Sequence, residues 1–148
     1  MILLDTDHVS VLKYRDGERY RRLSARLASA SDEVIGLTII TVEEQMRGWL
    51  ATIARERQAR RQIASYRQLH GLFEYFGEFE IISFDDLAAD RFDTLGKIRI
   101  GAMDKKIAAI PVANNALLLT ANRRDFEQIP GLRFENWMDE PPTPTNAG

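Results

Sequence analysis

The sequence predicts an α/β fold of three layers, α/β/α, with a central, mainly parallel sheet of four to five strands. Two observations carry that expectation. Short apolar runs rich in Leu, Ile and Val recur without polar alternation, as in strands buried on both faces. Between them lie longer stretches with apolar residues at three- and four-residue spacing, the mark of helices, and strands alternating with helices imply right-handed crossovers in a parallel sheet. At 148 residues, 45% of them hydrophobic, the chain suits one domain, taken here as residues 1–140, with the Pro-rich remainder 141–148 expected to be a disordered tail.

The first run, Ile2 to Leu4, ends on Asp5. A second, β-branched run from Val34 to Ile40 is entered from the turn-like Ala30-Ser31-Asp32. Thr41-Val42-Glu43-Glu44 then fits a capping box with Thr41 as the N-cap. The helix begun there is expected to continue, with a break near Gly48, to Tyr66, Leu69, Leu72, Phe73 and Phe76, and to stop at Gly77. Phe79 to Phe84 reads as a third strand, Asp85 to Ile98 and Met103 to about Asn114 as helices, and Ala116 to Thr120 as a fourth strand. Leu132 to Phe134 is a short fifth strand. Pro111 should kink or shorten its helix, because a proline removes a backbone hydrogen bond.

Composition narrows the chemistry. Twenty basic and 22 acidic residues leave a net charge of −2, and there is no cysteine and only two histidines, His8 and His70. Disulfides, cysteine-ligated zinc, iron–sulfur clusters and a cysteine nucleophile are excluded. Any metal must be held mainly by carboxylates, which points to a hard ion such as Mg2+ or Mn2+. No apolar run approaches the roughly 18 residues of a membrane span, and the N-terminus lacks the pattern of a secretory signal, so a cytoplasmic protein is expected. Sixteen of the basic residues are Arg, five between Arg15 and Arg26 and six between Arg47 and Arg67. These segments read either as phosphate-binding surfaces or as solvated helix faces.

Ligands of open parallel sheets bind outside the carboxyl ends of the strands. Asp5 stands at that end of the first strand, Glu43 in the first turn after the second, Asp104 at the opening of a helix, and Asp125 five residues beyond the fourth strand. Singly, each has a plain reading as a strand end, a dipole-compensating acid or a surface ion pair. Jointly they repel one another, and a divalent cation resolves that repulsion.

LLDTD at the start, TVEE forty residues on, and RIGAMDKKIAAIPVANNALLLTANRRDFEQIPGLRFENW near the end together resemble the PIN domain of VapC-type toxins. The resemblance implies a PIN-like fold and a Mg2+- or Mn2+-dependent endoribonuclease that cuts tRNA or rRNA. It further implies a homodimer paired with a VapB-like antitoxin, and no membrane. Carried over by position, Asp5, Glu43, Asp104 and Asp125 would be the catalytic, metal-binding acids, supported by Thr6, Asp7, Thr120 and Asn122. Arg99, Arg123 and Arg124 are candidates to hold RNA phosphate. Asp7 departs from the usual Asn, and Ala102 from the usual hydroxyl residue. In the implied mechanism a metal-activated water attacks the scissile phosphate and leaves a 5′-phosphate and a 3′-hydroxyl. His8 is read as a hydrogen-bonded turn residue rather than a base. Two other readings remain: an inactive PIN-like module that binds RNA or protein, and a haloacid-dehalogenase-like phosphatase with Asp5 as nucleophile.

Overall fold

In the computed structural model, which describes residues 1–141, the strands are β1 (Ile2–Leu4), β2 (Ile35–Thr38), β3 (Glu80–Ile82), β4 (Leu117–Leu119) and β5 (Arg133–Glu135). They form one sheet in the order β3-β2-β1-β4-β5, with every neighbouring pair parallel. The expected tail lies, from residue 142 on, outside the described residues.

Alternation along the short strands sorts their side chains between two helical layers. Leu3 and Leu118 pack on one face with α5 (Asp86–Thr94), α6 (Ala102–Asn114) and α7 (Arg123–Phe126). Ile2, Leu4, Leu37 and Leu119 pack on the other with α1 (Thr6–Tyr14), α2 (Gly17–Ser29), α3 (Ile39–Arg55) and α4 (Ile63–Phe76). The sequence pattern predicts no element between the first two strands, where α1 and α2 lie. From β1 the chain steps outward to β2 and β3, then crosses back to β4 and β5 on the opposite side of β1. The order therefore reverses between β1 and β4, the place where such sheets open a crevice.

Two boundaries differ from expectation. β2 ends at Thr38, whose hydroxyl accepts from Thr41 N at 3.1 Å, so Thr38 rather than Thr41 caps α3. The long helix breaks at residues 56–58 and a 3₁₀ turn, Ala59–Gln62, rather than at Gly48, which stays inside α3. Gln62 closes that turn by donating its side-chain amide to Ile53 O at 2.8 Å and Glu56 O at 2.9 Å. Pro111 falls in the last turn of α6, so the missing bond does not stop the helix from reaching Asn114.

Candidate active site

The crevice between β1 and β4 is built by the residues that leave those strands. Asp5 caps α1, taking Thr6 N on one oxygen and the Thr120 hydroxyl on the other, each at 2.8 Å. Asp5 is 7% exposed and Thr120 1%. Asn122 caps α7 and holds Asp125, its side-chain amide 3.1 Å from the carboxylate. Asp104 occupies the first turn of α6.

Electrostatics binds these groups into one cluster. Burial, then Asp7 and Asp104, push the Asp5 carboxyl up from 3.8 to about 7, against the hydrogen bonds from Thr120 and Thr6. Burial, then Glu44 and Asp125, raise Asp104. Like charges near a desolvated carboxylate disfavour its ionised form. Asp5, Glu44, Asp104 and Asp125 take part in no ion pair among the described residues. Those hydrogen bonds come from neutral donors, which orient the acids without neutralising them.

Glu44 is the residue that sequence reasoning missed. Its carboxylate accepts from the Thr6 hydroxyl at 2.9 Å and faces Asp104. Glu43, the expected member of the set, turns away and pairs with Arg47 at 2.6 Å. The packing of α3, whose buried residues include Ile40 and Thr41, sets Glu44 on the side of Thr6. Two signals were present. Glu43 and Arg47 have the i,i+4 spacing of a surface pair, whereas Glu44 follows the buried Ile40 and Thr41 by four and three residues, on their side of the helix.

Asp7 braces the crevice. Burial would raise its carboxyl, but bonds from His8 and from Ala121 N, at 2.5 and 2.8 Å, hold it below the usual range. His8 is fully buried in the first turn of α1, and its Nε2 accepts from Trp137 N at 3.1 Å. The ring proton therefore sits on Nδ1 and is donated to Asp7. Thr6 and Thr120 thus touch the acids directly, and Asp7 through Thr120 and Ala121. Arg99, Arg123 and Arg124 are exposed, and Arg123 pairs with Glu127 at 3.5 Å. A groove of about 530 Å³ reaches Thr120 and Ala121 from the side of Arg26, Arg123 and Asn136.

The donor set is hard oxygen, uncompensated and partly desolvated, which suits a hard divalent cation. Among the described residues no three of these side chains already stand close enough together to hold an ion. Carboxylate rotation would have to complete such a shell.

No family model matches the sequence. The tRNA(fMet)-specific endonuclease VapC of Salmonella typhimurium is 30% identical over 88 residues, which cover 53% of this chain and 64% of that protein, so the match spans less than two thirds of the relative's length. The DNA-bound VapBC structure from Salmonella typhimurium matches with a TM-score of 0.71 at 24% identity, covering 92% of this chain and 97% of the other. VapBC2 from Rickettsia felis, bound to a promoter DNA fragment, matches with a TM-score of 0.68 at 24% identity over 93% and 99% of the two chains. FitAcB from Neisseria gonorrhoeae gives 0.67 at 24% identity over 92% and 97%. The fold is the one these structures share, and the curated relative carries the same VapC likeness that the sequence motifs point to.

Proposed function

We propose that this chain is a PIN-domain endoribonuclease of the VapC toxin type, requiring Mg2+ or Mn2+ and acting in the cytoplasm on tRNA or rRNA. The observation that carries the reading is the gathering of Asp5, Asp104, Asp125 and Glu44 around the β1/β4 crevice, where Thr120, Asn122 and Thr6 hold three of them and no basic side chain among the described residues pairs with any. An acid cluster left this way destabilises the empty protein and gains when a cation enters.

Asp5 and Asp104 would hold the ion, with Glu44 and Asp125 as further ligands directly or through water. When bound, the ion supplies Lewis-acid charge for the phosphodiester and lowers the pKa of water. Thr6 serves two acids at once, its backbone N–H fixing Asp5 and its hydroxyl fixing Glu44. Thr120 donates to Asp5 and accepts from Asn122 N at 3.1 Å, which ties the β4 end to the residue that orients Asp125. Asp7, set by His8, keeps the Ala121 backbone against the end of β1. No side chain need bond covalently to the substrate, and the likeness to VapC-type nucleases implies that O3′ is the leaving group, giving a 5′-phosphate and a 3′-hydroxyl. A VapB-like antitoxin that places an arginine among the carboxylates would neutralise the same cluster. A homodimer belongs to the same reading.

Glu44→Gln and Asp104→Asn should each lower metal-dependent RNA cleavage by at least about 100-fold, the scale of removing one preorganised electrostatic group, while Glu43→Gln stays near wild type. Cleavage-site mapping on total RNA provides the assay. Turnover of small phosphate esters through a trapped aspartyl phosphate would favour the phosphatase instead, and a metal-induced thermal shift without cleavage would favour a binding module.

A further inference from the structure

The two arginine-rich segments meet different fates. On α2, Arg19 is held by both oxygens of Asp139 at 3.0 and 3.2 Å, Arg22 pairs with Glu140 at 3.1 Å, and Arg26 reaches Glu135 at 3.9 Å and stacks 4.9 Å over Trp137. That face is neutralised by the chain's own C-terminal acids. Between residues 55 and 67 stand five arginines and one glutamate. All five arginines are exposed, and among the described residues none is in an ion pair. The glutamate, Glu56, is engaged in accepting from Gln58 N at 3.1 Å.

These arginines surround the tip of the α3–α4 hairpin, which Gln62 fastens through Ile53 O and Glu56 O. Arg55 ends α3, where positive charge complements the helix dipole. Arg60 and Arg61 lie just before the N-terminus of α4, where positive charge opposes the dipole, and the first turn of α4 has no acid to offset it. Helix stability gives no reason for that placement.

We infer that the hairpin tip, through Arg55, Arg57, Arg60 and Arg61, is a second contact surface that grips the sugar-phosphate backbone of a structured RNA while the acid crevice engages the bond to be cut. The inference rests on the nuclease reading for the choice of RNA over other polyanions. Arginine, used here without a single lysine between residues 50 and 70, is the planar, bidentate phosphate ligand. Along α3, Arg55 lies about 16 Å from Glu44 at 1.5 Å per residue. A mononucleotide cannot bridge that distance, whereas a folded RNA can.

The test is binding of total tRNA to metal-free protein at several salt concentrations, with wild-type cleavage assayed in parallel. Removing one arginine–phosphate pairing should flatten the dependence of log affinity on log salt by about 0.7 to 0.9, the single-strand and duplex values. Arg60→Gln with Arg61→Gln should therefore lower the slope by about 1.4 to 1.8, and removal of all four arginines by up to about 3 to 3.6. The charge-matched control, Arg91→Gln with Lys97→Gln on the opposite helical layer, should leave it unchanged, and Arg→Lys at the tip should retain most of it. An unchanged slope at the tip, an equal drop in the control, or weakened binding to phosphatidylserine vesicles in place of RNA would each overturn the inference. If tip variants lose slope while wild type cleaves no RNA, the contact surface stands and the nuclease reading fails. If wild type cleaves RNA while the tip variants keep its slope, the nuclease reading stands and the contact surface fails.

Discussion

At the scale of single residues, Asp5 carries a stability cost. Unfolded, its carboxyl ionises near 3.8; folded without metal it keeps its proton up to about 7. Between those values the folded state binds more protons, so this group's contribution falls as pH rises, by a total on the order of 4 kcal/mol at 1.36 kcal/mol per unit. Asp104 acts in the same direction, and Asp7, held low, contributes stability that disappears only on acidification. Asp5→Asn should therefore stabilise the metal-free protein near pH 7 and make little difference near pH 4, as read by thermal melts of both proteins in chelator. A gap that widens toward acid would contradict this assignment. The positions of Asp5, Asp104 and Asp125 at strand or helix ends were legible because short apolar runs reveal where those elements begin and stop. The place of Glu44 beside Thr6 was not, because Glu43 and Glu44 are adjacent, about 100° apart on the helix, and only the packing of α3 decides which one faces the crevice.

Elements are held in place by close backbone approaches as much as by side-chain packing. Gly36 lies in β2 where an added Cβ would stand 2.7 Å from Glu80 O and 3.2 Å from Leu3 Cδ2. The first neighbour is backbone, so it cannot swing aside. Gly36→Ala should part β2 from β3 and destabilise the protein by about 1–3 kcal/mol, the range for overpacking a tight site, measured as a lowered urea midpoint. Thr38→Ala removes the α3 cap and should cost about 1 kcal/mol. Because α3 carries Glu44, that change should weaken metal response as well as stability. Strand cores could be read from composition, since runs such as Leu117–Leu119 tolerate no other environment. Helix limits could not: a Thr-Ile-Ile-Thr sequence offers two caps, and the choice is made by where β2 stops pairing with β3.

For the whole molecule, the parallel sheet brings residues more than a hundred positions apart to one crevice, and a ligand bound there stabilises the native state by mass action. Mg2+ at about 100 times its dissociation constant should raise unfolding free energy by about 2.7 kcal/mol. Asp104→Asn should abolish most of that gain, with differential scanning calorimetry as the measurement. An identical gain in both proteins would place the ion elsewhere. The layered architecture follows from the alternation of element types along the chain. The pairing of basic α2 with the C-terminal acids does not, because complementary charge in sequence says nothing of which partners the fold will bring face to face.

Thr120, which completes the setting of Asp5, is 115 residues downstream of it, and Trp137, which fixes the His8 tautomer, is 129 residues beyond that histidine. A ribosome making this protein must therefore have passed residue 137 before both contacts can form. A nascent chain that has gained only its first hundred residues carries Asp5 and Glu44 but neither Asp104 and Asp125 nor Thr120, so the crevice cannot assemble until those later residues have left the exit tunnel.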